Sequence, residues 1–229
     1  MQRKIRGQMS ESFLIAGILS ISGGLQDAYT YMYRGKVFAN AQTGNIVLLS
    51  QNLVDRNWQA ALRYFSPLLF FALGVAMAEC IRMKYQKAQK IHWRQLVLVT
   101  EIVLLFAVGF FPNEMDLLAN AMVSFACAMQ VQAFRKVNGY AFASTMCIGN
   151  LRSGMESLVV CFHLHDKKAL YKALHYFGVI LLFAIGAGLG AQGVAVFGNR
   201  TIWFSCALLL VSLCFMFIQD EEQARQETK

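Results

Sequence analysis

Three carboxylates stand where a carboxylate is costly. Asp27 lies in GGLQDAY and Glu101 in LVTEIVLL, both inside long apolar stretches, and Glu156 follows Arg152 by four residues in LRSGMES. A charge at the centre of a bilayer costs about 2.5–3.5 kcal/mol on the insertion scale. Such a group needs a partner, a proton or a task. Proton or cation coupling is the chemistry that Asp27, Glu101 and Glu156 suggest, with Asp27 first. The competing reading of Asp27 and Glu101 is a neutral, hydrogen-bonded carboxyl with no part in transport. The spacing of Arg152 and Glu156 also suits a plain ion pair along one helix face. Glu79 and Arg82, three apart near a helix end, read as an interfacial pair.

Neutral polar groups gather around two short stretches, FANAQTGNIV (Phe38 to Val47) and FASTMCIGNLR (Phe142 to Arg152). In hydrocarbon an unpaired backbone amide costs several kcal/mol, so irregular backbone persists only if it is buried in protein or lines a wet cavity. Gly44 and Gly149 are natural break points. Asn40, Gln42, Thr43 and Asn45 can pair the freed backbone groups or face a solute. The expected substrate-binding residues are Gln26, Asn40, Thr43, Gly44, Asn45, Gln130, Gly149, Asn150 and Arg152. Asn150 and Arg152 at a broken helix would favour an anion. Interhelical bonding alone is the blander reading, and the repetition of the pattern favours a site.

The elements that must position these groups follow from composition. The chain has 229 residues, 57% hydrophobic and 15% charged, against roughly 25% charged in globular proteins. Six cysteines show no ligand spacing, and the four histidines lie in or beside basic loops. No metal or cofactor is expected. No HExxH, GxSxG or His-carboxylate cluster occurs, so an intramembrane enzyme is not expected. The net charge of +8 is read as lysine and arginine marking cytoplasmic loops, not as a nucleic-acid surface. Membrane lipid is the expected surrounding.

Eight segments emerge: 13–33, 37–53, 62–83, 93–111, 117–134, 141–162, 170–197 and 201–218, followed by a charged tail, 220–229, expected to fray. The fifth to seventh echo the first to third. Gly24-Leu-Gln26 matches Ala128-Met-Gln130 and Phe38-Ala39 matches Phe142-Ala143 at an offset of 104; Gly44-Asn45 matches Gly149-Asn150 at 105; Phe71-Ala72 and Gly74 match Phe183-Ala184 and Gly186 at 112. If the second and sixth segments enter and leave on one side, fifteen Lys/Arg fall inside and five outside, with Arg34 and Lys36 among the outside charges. The positive-inside rule favours that arrangement. The two repeats, about 11–112 and 113–219, are then inverted, a transporter signature.

Gly24, Asp27, Ala28, Phe38, Thr43, Gly44 and Asn45 give an early Gly-x-x-Asp-Ala, a Phe and a Thr-Gly-Asn. On these residues the chain resembles the YoaK-like family of bacterial membrane proteins, a domain-of-unknown-function family, over nearly its whole length. It departs from the family's second-half Gly-x-Gln and Thr-Gly, with Ala128 and Ile148 in place of a Gly and a Thr. The resemblance implies a bacterial cytoplasmic-membrane protein.

The expectation is one all-α polytopic membrane domain, 1–229, with about six transmembrane helices and two re-entrant or broken ones in an inverted repeat. Both termini are expected in the cytoplasm. The expected activity is secondary transport of a small solute, coupled to protons through Asp27. A membrane scaffold or assembly protein and a channel are the alternatives. Sugars, amino acids, organic acids and drugs all suit the polar groups, and a homo-oligomer is compatible with the sequence.

Overall fold

The computed structural model describes residues 12–86, 93–137, 140–141 and 144–227, without the side chains of 136–137, 140–141 and 219–227. Among the described residues the helices are α1 (Phe13–Tyr33), α2 (Gln42–Val54), α3 (Trp58–Tyr85), α4 (Trp93–Val108), α5 (Asp116–Ala133), α6 (Cys147–Leu164), α7 (Lys167–Phe197) and α8 (Ile202–Glu227). The all-α reading holds, apart from a two-residue hairpin in which β1 (Lys136–Val137) pairs antiparallel with β2 (Tyr140–Ala141). Several sequence features set the helix starts. The Ser12 side chain accepts from the Ile15 N–H at 3.3 Å to cap α1, Asn57 does the same for Ala60 in α3, and Asp166 accepts from Lys168 at 2.8 Å in α7. Such caps satisfy first-turn donors that have no partner inside the helix.

The expected segments correspond to these helices with shifted ends. The two polar segments begin later as helices than expected, at Gln42 and Cys147. Val37 to Asn40 and Ser144 to Met146 are not helical. The end of the eighth segment needs a correction: the α8 backbone runs on through the charged tail to Glu227. Its Glu, Gln, Ala and Arg residues are strong helix formers. By length and composition, Trp58–Tyr85 and Lys167–Ile218 are long and apolar enough to cross a membrane. With 13 residues, α2 reaches only about 20 Å, short of a hydrocarbon core of about 30 Å.

Packing interlocks the two halves of the chain. The most extensive contacts join α1 to α7 and α3 to α5; then come α6 with α7 and α2 with α3, α4 with α5 and α1 with α8, and α4 with α8. Exchanging α1–α4 with α5–α8 returns the same set of pairs. Two close approaches make the correspondence specific. A Cβ on Gly186 would collide with the Ile21 carbonyl, and one on Gly74 with the Phe125 carbonyl. Ile21 and Phe125 lie 104 apart and the two glycines 112 apart, the offsets of the sequence echoes. Leu19, Leu98, Met129 and Leu209 belong to one buried cluster drawn from α1, α4, α5 and α8. Leu73, Val103, Leu181 and Leu189 point outward, each more than 45% exposed. An apolar exterior of this kind suits lipid contact.

Arg34 corrects the picture of a loop charge facing outside. It is fully buried, while Lys36 is exposed. The Arg34 guanidinium donates to Tyr29 Oη (2.8 Å), to Asp116 Oδ1 (2.9 Å), to the Phe111, Pro112 and Val108 carbonyls (2.8, 3.1 and 3.2 Å) and to Asn199 Oδ1. Its own carbonyl accepts from Asn120 Nδ2 at 2.7 Å. The guanidinium donors are thus spent on one ion pair, two side-chain oxygens and three carbonyls at and just past the end of α4. The side chain ties the end of α1 to the α4–α5 turn and to the 3₁₀ turn Gly198–Thr201.

Candidate functional site

Behind Arg34 the chain turns through two left-handed residues, Gly35 (φ 83°) and Lys36 (φ 64°). It then passes beside α1 as irregular backbone, bending at Ala39 and Asn40, before α2 begins. Asn45, one turn into α2, clasps this irregular piece. Its Oδ1 accepts from Phe38 N at 3.1 Å, and its Nδ2 donates to Phe38 O at 2.7 Å and to Gln42 Oε1 at 2.9 Å. Gln42 Nε2 in turn donates to Ala39 O at 2.7 Å. The amide-rich sequence therefore supplies the partners that irregular backbone lacks. The Phe38 ring packs over Gly44, where a Cβ would sit 3.1 Å from the ring, and stacks on Tyr31 with centroids 4.6 Å apart.

Asp27 holds the same piece from the α1 side. Its Oδ1 accepts from Asn40 N at 2.7 Å. Asn40 is 8% exposed, and its Oδ1 has no hydrogen-bond partner among the described residues. Both side chains line a cavity of about 1010 Å³. Thr43, at the start of α2, and Thr145, Cys147 and Gly149, around the start of α6, share its wall with apolar side chains of α1, α3 and α7. The N-terminal ends of α2 and α6 therefore border one hollow. Neither carries a side-chain cap, since Ala41 and Met146 stand at the cap positions.

The wall also includes Tyr31, Phe38, Phe71 and Phe183, which polar-residue reasoning does not reach. The repeat was the available signal, because it pairs Phe71-Ala72 with Phe183-Ala184. Among the described residues, Asp27 is the one charged side chain in the wall.

The other expected site residues lie elsewhere. Gln26 is fully buried; its Nε2 approaches Ser205 Oγ (2.8 Å), Ser22 Oγ (3.0 Å) and Glu101 Oε1 (3.3 Å), and its Oε1 accepts from Cys127 Sγ (2.6 Å). Gln26 and Glu101 thus form an internal polar knot among α1, α4, α5 and α8, with Glu101 Oε2 unpartnered among the described residues. Adjacent positions on a helix point about 100° apart, so Asp27 faces the cavity while Gln26 faces the core. Gln130 is buried and donates to Ser144 Oγ at 3.0 Å, which anchors the backbone leading into α6. Asn150 is buried in α6. Arg152 and Glu156 pair at 2.9 Å with side chains 81% and 60% exposed, outside the cavity wall. Glu79 and Arg82 pair as expected, and Gln132 of α5 also donates to Glu79 at 2.8 Å.

The profile of the family described as "Protein of unknown function (DUF1275)" matches residues 15–215. The chain belongs to that family. This DUF1275 chain is also similar to the UPF0700 transmembrane protein YoaK of Bacillus subtilis (strain 168), at 25% identity over 207 residues, covering 85% of this chain and 89% of that protein. The YoaK-like resemblance is thereby borne out, and with it the assignment as a membrane protein. No solved structure matches the chain.

Proposed function

We propose that this DUF1275 protein is a proton-coupled secondary transporter of a small solute in the bacterial cytoplasmic membrane. About six spans and two re-entrant elements form an inverted repeat, with both termini cytoplasmic. The observation that carries the reading is the meeting of the α2 and α6 N-termini at one cavity beside Asp27. Interrupted helices whose ends converge on a shared hollow are how carriers place irregular backbone at membrane depth. The exchange symmetry of the helix pairs and the repeated glycine–carbonyl approaches support the two-fold.

Asp27 is suited to coupling because its carboxylate is a latch as well as an acid. Ionised, it accepts the Asn40 N–H and faces the positive end of α2. Protonated, it is a weaker acceptor, and the segment 38–41 is freed to move relative to α1. A latch with two states gives alternating access a physical cause. Glu101 and Gln26, remote from the cavity wall, take a supporting role in the core. A scaffold has no need of a hollow beside a buried acid, and the site acts without chemistry on the solute.

The test is pyranine-reported proton movement in proteoliposomes challenged with panels of amino acids, sugars, organic acids and amines. Saturable, solute-dependent proton movement by the wild type is expected, and it disappears in Asp27→Asn that remains monodisperse. Non-saturable flux would assign a channel instead. Absence of flux for every panel member would return the protein to the scaffold class.

A further inference from the structure

We infer that the solute is an amphipathic organic cation, an amine in its ammonium form; this rests on the carrier reading and names the substrate class of the same cavity. The wall is mostly apolar, with four aromatic rings, and its one charged side chain among the described residues is the Asp27 carboxylate. Asn40, more than nine-tenths buried, belongs to the same wall, and its Oδ1 is a buried acceptor with no hydrogen-bond partner among the described residues. An orphaned buried acceptor is costly unless a donor arrives. An ammonium group supplies N–H donors and positive charge together. It answers both the carboxylate and the amide oxygen, while its apolar body lies against Tyr31, Phe38, Phe71 and Phe183. Those ring faces also attract a cation. A volume of about 1010 Å³ stands at the top of the range for drug-sized ligands, about 300–1,000 Å³.

The opposite sign is disfavoured by position. Arg152, the cation expected to recruit an anion, is 81% exposed and paired with Glu156, outside the cavity. The N-termini of α2 and α6 each offer about half a positive charge as spread dipole ends, whereas the Asp27 carboxylate is the one formal charge in the wall among the described residues. One carboxylate also links the two cargoes. It holds a proton or an ammonium ion and not both, so binding of the cation releases the Asp27 proton to water, and exchange of the two becomes obligatory.

The probe is tritiated 2-phenylethylamine, bound to the full-length protein in lipid nanodiscs, with 3-phenylpropionate and 2-phenylethanol as anionic and neutral competitors. The amine is expected to bind saturably, with both competitors at least tenfold weaker. Asp27→Asn should lose at least tenfold in amine affinity, and Asp27→Glu should retain the preference for the amine. Equal or better competition by the anion or the alcohol, no saturable amine binding, or undiminished affinity in a monodisperse Asp27→Asn overturns the inference. If Asp27→Asn does not fold, the Cys147 thiol in the wall serves instead. With Cys80, Cys161 and Cys214 replaced by alanine, the amine should slow its alkylation by N-ethylmaleimide several-fold and phenylpropionate should not; no protection by the amine refutes the assignment. The two readings fail separately. Proton-coupled flux of anions alone removes the cation and keeps the carrier. Amine binding without flux of any solute removes the carrier and keeps the amine site.

Discussion

The backbone leading into α2 and the backbone leading into α6 are corresponding parts of two similar halves, yet they are held differently. The first is gripped by Asp27 through Asn40 and clasped by Asn45 at both polar groups of Phe38. In the second, the position matching Asp27 at the offset of 104 is Val131. There the neighbouring Gln130 reaches Ser144 through a neutral bond. The helix pairs correspond between the halves, and the charge does not. A neutral anchor is indifferent to pH and to the sign of a solute, whereas an ionisable one responds to both. On the proposed carrier reading, the first half would move and sense, and the second would serve as frame.

Substitutions that make the halves more alike, or weaken them in parallel, break or sharpen this contrast. The largest effect is expected from Asp27→Val, which gives the first half the residue of the second. Solute-driven proton movement should fall to background, and adding Val131→Asp should not restore it; restoration would show the halves to be interchangeable. Next comes Arg34→Leu, which leaves Asp116 without its ion-pair partner and removes one donor from each of three carbonyls. A loss of about 3 kcal/mol is expected, at the low end for breaking a buried ion pair because the Asp116 side chain is 30% exposed. Chemical unfolding in mild detergent reads it. Gly74→Ala and Gly186→Ala should each cost about 1–3 kcal/mol through overpacking, and by similar amounts, since each glycine meets a corresponding carbonyl; a large inequality in thermal midpoints would count against a shared scaffold. Asn45→Ala should cost about 1–3 kcal/mol from unpaired backbone and speed hydrogen exchange at Phe38. The smallest effect belongs to Arg152→Gln, whose exposed pair should leave both stability and flux unchanged.

Much of this was legible in the chain, for reasons that differ by residue. Long apolar runs mark helices because lipid demands them, and amides inside an apolar run mark irregular backbone because something must satisfy it. Asn40, Thr43 and Asp27 are therefore visible in sequence and do line the cavity. The beginnings of α2 and α6 were hidden because Val37 to Asn40 and Ser144 to Met146 offer no periodicity that separates strand-like from helical backbone. Gln26 was readable as buried and polar, but its direction depends on a rotation of about 100° from Asp27. Arg34 looked like a loop residue beside Gly35 because its ion-pair partner Asp116 is 82 positions away. Phe71 and Phe183 are ordinary apolar residues until the sequence echo pairs them and the cavity wall takes both.

The exchange of partners between halves bears on how the protein is made. Helix α1 leaves the ribosome first, yet its most extensive partner, α7, begins only at Lys167. At about 5–20 residues per second, α1 spends on the order of ten seconds in the bilayer before that partner is synthesised, with Gly17, Gly23 and Gly24 presenting a notched surface that nothing yet fills. Insertion and assembly are consequently separate events. A chain cut short before α7 keeps the pairing of α3 with α5 but leaves α1 without its most extensive partner.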